Sequence, residues 1–204
     1  MFAPRYNIAP GQRVPCVKAM GLREREKVLS LALFFPRWGL VPSWATDPKI
    51  GNRLINARAE TLLQKPSFRS AFCHRRCLVL ADGFYEWGGD AGTKKPYYFR
   101  LADRAPFAFA GLFECWEDPR GGGLETFTVI TTEANSLVGR VHDRMPVIMG
   151  PSEYEPWLDT DSQDPASLLP LLRPYPSEAM IGYPVSFLVN NPENDHITCI
   201  EPMR

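Results

Sequence analysis

Residues 107–131 read FAFAGLFECWEDPRGGGLETFTVIT, and the fold turns on this stretch. Two runs, Phe107 to Trp116 and Glu125 to Thr131, are rich in aromatic and β-branched residues, which favour extended chain. Between them stand Asp118, Pro119, Arg120 and three glycines, a composition that breaks helix and marks a turn. Two extended runs joined by such a link are predicted to pair as antiparallel neighbours.

The same pattern continues outward. Upstream, Arg13 to Lys18 reads as a strand, Gly21 to Lys27 as a charged turn, and Val28 to Phe35 as an apolar strand stopped by Pro36. Pro66 opens a predicted helix with Phe68, Ala71 and Phe72 on one face. Cys77 to Leu80 reads as a buried strand running into a turn at Asp82-Gly83. Gly88 to Gly92 reads as a hairpin turn before a strand from Lys95 to Leu101. Downstream, Thr132 is expected to cap a short helix through Val138. Pro151-Ser152-Glu153 opens another helix with Tyr154, Trp157 and Leu158 inward, and Asp164-Pro165 reads as a cap and first helical position. Two late strands are expected near Val185 to Leu188 and His196 to Glu201. The expected architecture is α+β: one domain over 1–204, with a largely antiparallel twisted sheet or open barrel and helices packed outside.

Composition narrows the function classes. A chain of 204 residues, 45% hydrophobic and 12% aromatic, can bury a core. Acidic and basic residues balance at 23 each, which argues against a bulk polyanion binder but leaves room for a local basic groove. Five widely spaced cysteines read as free thiols of a reducing compartment. Cys73 and Cys77 are close, but no second pair stands ready to complete a structural zinc site, so no metal is expected. No run reaches membrane-spanning length and no signal peptide is apparent, so the expected location is cytoplasmic.

Three stretches carry candidate chemistry. Val141-His142-Asp143-Arg144-Met145-Pro146 holds one of three histidines, flanked by a carboxylate and a guanidinium. Glu86 lies between Tyr85 and Trp87. Aromatic walls would strip its carboxyl of water, raise its pKa and let it serve as a general acid. Taken alone, Glu86 reads more simply as an edge-strand carboxylate facing water. Asn56 and Arg58 alternate along an extended segment and so share a face, which suits a sugar or phosphate contact.

Five stretches in series carry a resemblance. They are Arg5 to Gln12, Trp38 to Pro42, Asn56 to Thr61, Ala81 to Trp87 and His142 to Pro146. Together they resemble the SRAP family, the SOS response-associated peptidases. The resemblance implies a sensor of abasic sites in single-stranded DNA, acting as a monomer without a cofactor and nucleoid-associated when bound. In that family the mature chain starts with Cys. Its α-amine attacks the aldehyde of the ring-opened sugar and its thiol closes a thiazolidine, leaving a covalent protein–DNA crosslink. Carried over by position, Glu86 is the acid/base that opens the sugar, His142 the active-site histidine and Asn56 the residue that orients the reacting groups. Arg58 and Arg144 are the phosphate contacts, Thr131 lies near the same groove, and Trp44 belongs to an aromatic loop bordering the DNA.

One departure bears on the chemistry. The family opens Met-Cys-Gly-Arg and runs through a strand and a helix before its Arg-Tyr-Asn motif. This chain opens Met1-Phe2-Ala3-Pro4 and reaches Arg5-Tyr6-Asn7 at once. A start placed downstream of the true one, or a shortened chain, would explain this with the pocket residues intact, and is the favoured reading. The alternatives are a single-strand binder that has lost its nucleophile and a peptidase limited to self-processing.

Overall fold

A computed structural model describes residues 3–23, 28–89, 94–118, 121–159 and 164–203. In chain order come β1 (Cys16–Arg23), β2 (Val28–Phe34), β3 (Arg37–Trp38), β4 (Asn56–Arg58), α1 (Pro66–His74), β5 (Arg76–Ala81), β6 (Phe84–Gly88) and β7 (Lys95–Leu101). Then follow β8 (Phe107–Glu117), β9 (Gly123–Glu133), β10 (Arg144–Pro146), β11 (Ile148–Met149), α2 (Tyr154–Leu158) and β12 (Met180–Pro184). The larger sheet runs β10-β9-β8-β5-β1-β2, with β11 on β8 and β3 and β4 on β9. The smaller runs β12-β7-β6. Pairing is antiparallel except for β3 and β4, which lie parallel to β9. The fold is α+β, and the large twisted sheet stays open.

The opening stretch forms the axis of the large sheet. β8 and β9 pair from Gly111↔Val129 to Glu117↔Gly123. Alternating side chains divide the core in two. Leu78, Ala110, Leu112 and Ile130 face one way, against Phe68 and Phe72 of α1 and Trp157 of α2. Val79, Phe109, Phe127 and Val129 face the other way, against Phe84 and Phe99 of the small sheet.

Arg76 fastens the helical face. It is 1% exposed, and its guanidinium donates to the backbone carbonyls of Phe72, Cys73, Trp157 and Asp159. Those carbonyls close the end of α1 and the end of α2. Arg76→Ala leaves buried acceptors without donors and opens a cavity, so the expected loss is about 3 kcal/mol or more. Urea denaturation measures it, and a loss within experimental error would show that water replaces the guanidinium.

The sequence readings fail at specific places. The strand expected from Arg13 begins at Cys16 and runs through the expected charged turn to Arg23; residues 24–27 of that turn lie outside the described residues. Residues 90–92 of the expected hairpin turn and 119–120 of the β8–β9 link also lie outside them. Thr132 caps no helix, because it lies within β9 and pairs with Met145. The element that follows is a 3₁₀ turn, Val138–Arg140, whose cap position Leu137 makes no side-chain bond; just before it, Asn135 Oδ1 accepts from the N–H groups of Leu137 and Val138. The two late strands are 3₁₀ turns at Phe187–Asn190 and Ile197–Ile200, and the strand is β12. Ser186 decides the first: its hydroxyl accepts from the Leu188 N–H and bends the apolar run into a turn. The Asp164 cap is present, but the helix it opens at Pro165 is 3₁₀.

Candidate functional site

Asn56 and Arg58 are exposed and Ala57, between them, is fully buried, as an extended polar-apolar-polar segment requires. β4 sets them in register with β9, Asn56 opposite Val129 and Arg58 opposite Thr131. From the other side of β9, β10 sets Pro146 opposite Thr131. The end of β9 therefore gathers two of the distant motifs at one place. Asn56, Glu86 and Thr131 line a cleft of about 1520 Å³ together with Trp38, Phe107 and Pro146. His142, Arg58, Arg144 and Trp44 are not part of its wall.

Glu86 lies mid-strand in β6, opposite Tyr97 of β7. Its sequence neighbours Tyr85 and Trp87 project from the opposite face and do not wall it. They pack with Tyr98, Val185 and Val189. The Tyr85 hydroxyl donates to the Tyr6 carbonyl at 2.6 Å, and the Trp87 indole to Asn190 Oδ1 at 2.7 Å. The expected rise in the Glu86 pKa is nonetheless present. Burial is its main cause and the charge of Asp143 adds to it, while His142 and Lys94 oppose it.

Gly88 brings the histidine loop onto β6. A Cβ there would stand 2.8 Å from Val141 Cγ1 and 3.1 Å from the Val141 Cα and carbonyl oxygen, so only glycine admits this approach. His142 follows directly. The Arg144 backbone N–H donates to its Nδ1 at 3.0 Å. The Arg144 carbonyl oxygen lies 3.2 Å from the same Nδ1, so this backbone group meets either tautomer, donating to a bare Nδ1 and accepting from a protonated one. The Asp143 carboxylate, 3.3 Å from Nδ1, stands ready for the cationic form.

Arg144 is held by protein. Nη1 donates to Glu60 Oε1 at 2.8 Å and Nη2 to Glu60 Oε2 at 3.1 Å, a fork on a carboxylate, and Nη2 also donates to the Thr131 carbonyl at 2.6 Å. The Arg144 bond is the leading cause holding the Glu60 carboxyl below its usual pKa, with Arg58 adding a smaller pull. Trp44 is 58% exposed, apart from the cleft wall, whereas Trp38 stacks on Phe127 and donates to the Ile55 carbonyl.

The Arg5-Tyr6-Asn7 stretch is a clasp. Asn7 is buried, and its amide nitrogen donates to the carbonyls of Val189, Asn191 and Asn194. Asp195 accepts from the N–H groups of Tyr6 and Asn7 and pairs with Arg5. These bonds tie the N-terminal segment to the tail.

The family model described as SOS response associated peptidase (SRAP) matches residues 1–192. The chain belongs to the SRAP family. Among SRAP relatives, the abasic site processing protein YoqW of Bacillus subtilis is 45% identical over 201 residues, 98% of this chain and 87% of that protein. The abasic site processing protein HMCES of Gallus gallus is 36% identical over 227 residues, 99% of this chain and 67% of that protein. A crystal structure of a Bacteroides thetaiotaomicron protein superposes with a TM-score of 0.81 at 31% identity, covering 95% of this chain and 82% of the other. No helix among the described residues is long and apolar enough to cross a membrane.

Two contributors escaped the sequence reading. Glu60 stood inside the quoted Asn56 to Thr61 stretch, two residues after Arg58, but carried no role. Gly88 was read only as the start of a turn.

Proposed function

We propose that this protein recognises abasic sites in single-stranded DNA, and that Glu86 opens the abasic sugar. The observation that carries the reading is one cleft that joins Asn56, a partly buried Glu86 with a raised pKa, and Thr131, with basic residues beside it. The closed sugar is a hemiacetal. Glu86 gives its proton to the ring oxygen, the bond from C1′ to that oxygen breaks, and the C1′ hydroxyl loses its proton to water, leaving an aldehyde. An amine then adds to C1′ and water leaves to give an imine. A thiol on the same residue adds to the imine carbon and closes a thiazolidine. That step needs a cysteine whose amine and thiol are both free. Cys16, Cys73, Cys77, Cys115 and Cys199 are all internal, so the crosslink calls for an N-terminal cysteine outside this sequence. Asn56 orients the sugar, and His142, whose charge acts on Glu86 from beside the cleft wall, serves the opened sugar. Arg58, Arg144 and the exposed Trp44 hold the strand on either side.

Fluorescence anisotropy tests the recognition step with the chain as it stands. A single strand carrying one abasic site is expected to bind more tightly than the same strand intact or as a duplex. Equal affinity for all three would sink the reading. Arg58→Ala is expected to weaken binding and to lower the log–log salt slope by about 0.7, the value for one phosphate contact on a single strand.

A further inference from the structure

We propose that Glu60 is a resident stand-in for a DNA phosphate, and that a strand must displace it to reach Arg144. The proposal rests on the single-strand reading above. A carboxylate and a phosphate present the same pair of oxygens to a guanidinium fork. Glu60 takes an N–H from each Nη of Arg144 and the Nε is buried without a hydrogen-bond partner, so in the free protein the Nη edge is filled by a carboxylate.

The two partners are not equally fixed. Arg144 belongs to β10, is paired with Glu133 of β9, and is anchored through Nη2 to the Thr131 carbonyl. Its side chain is 20% exposed. Glu60 hangs from a three-residue 3₁₀ turn, Ala59–Thr61, with 54% of its side chain in solvent. When a second anion arrives, the carboxylate can swing into water while the guanidinium stays in place. Arg58, two residues before Glu60, is exposed and adds its field to the same spot. The place Glu60 holds is therefore an anion site facing two arginines.

The exchange has a consequence for selectivity. A strand with no other hold on the protein gains an arginine–phosphate contact only by releasing an arginine–carboxylate contact of similar strength. Undamaged strands therefore bind weakly. A strand that also seats a sugar in the cleft has a further source of binding free energy, and the exchange goes forward.

A double-mutant cycle in the full chain tests this, with an oligothymidine single strand as the probe. Glu60→Gln keeps the side chain's shape and removes its charge. It is expected to tighten binding by about threefold to tenfold at low salt and to steepen the salt slope by about 0.7. In the Arg144→Ala background the same substitution is expected to change neither. A gain of equal size in that background would mean that Glu60 merely repels DNA at a distance, which overturns the proposal. So would unchanged or weaker binding by Glu60→Gln alone. If the wild-type chain binds the oligonucleotide with a clear salt dependence and the cycle is flat, only the Glu60 proposal falls. If it shows no salt-dependent binding, the single-strand reading falls and takes the proposal with it.

Discussion

Mixed with single-stranded DNA carrying an abasic site, the 204-residue chain is expected to yield no adduct that survives heat and denaturant. The reason is chemical. A thiazolidine needs one residue with a free α-amine and a free thiol, and every cysteine here has its nitrogen in a peptide bond. Three of the five are also buried: Cys16, Cys77 and Cys199. Burial pushes the Cys16 thiol far above the usual range, with Cys77 beside it adding to the effect. A lysine could form an imine with the aldehyde, but an imine hydrolyses on denaturation unless it is reduced. Given an N-terminal extension that opens Met-Cys-Gly-Arg, as the family does, the protein is expected to form a band stable to denaturing electrophoresis. Cys→Ala at the new terminus abolishes that band. A stable adduct from the 204-residue chain itself would refute the requirement for a terminal cysteine.

The strands that carry the site were legible because local chemistry decides them. Ala57 had to be buried between two polar neighbours, and the β8–β9 pair followed from its link. The helix at Pro66 had three apolar residues on one face, and all three are buried. The tail was not legible. Its backbone conformation answers to partners far away in sequence, above all Asn7, whose amide nitrogen takes three carbonyls between Val189 and Asn194. Apolar runs such as Val185 to Leu188 carry no mark of such a partner. The candidate site divides the same way. Asn56, Glu86 and His142 stood in recognisable stretches. The contacts that hold the His142 ring come from the Arg144 backbone, and no residue type announces that. The walls of Glu86 were misassigned because neighbours along a strand face opposite ways. Its pKa still rises, because burial leads and the charge of Asp143 adds to it.

In a chain extended as above, Glu86→Gln is expected to slow crosslinking by about 10²-fold, the low end for loss of a general acid. The amide keeps the shape of the acid but holds no transferable proton, so the closed sugar reaches its aldehyde only at the solvent rate. Affinity for undamaged strands should stay the same. The pH profile separates this role from a structural one. Because the acid form does the work, the wild-type rate falls as pH rises through the raised pKa of Glu86, and the Gln variant loses that limb. Stability follows the same titration. A carboxyl with a folded pKa above its unfolded one favours folding when protonated, below the ordinary carboxylate range. That contribution is lost as pH rises through the folded pKa. Thermal melts should therefore show Glu86→Gln matching or exceeding wild type at neutral pH, with the gap closing near pH 4, about the ordinary carboxylate pKa. His142→Ala should behave differently, since an imidazole that serves the opened sugar affects adduct formation or reversal and leaves ring opening alone. Single-turnover crosslinking across pH reads all of this at once. An unchanged rate and an unchanged profile in Glu86→Gln would return Glu86 to the status of a strand carboxylate with no part in the reaction.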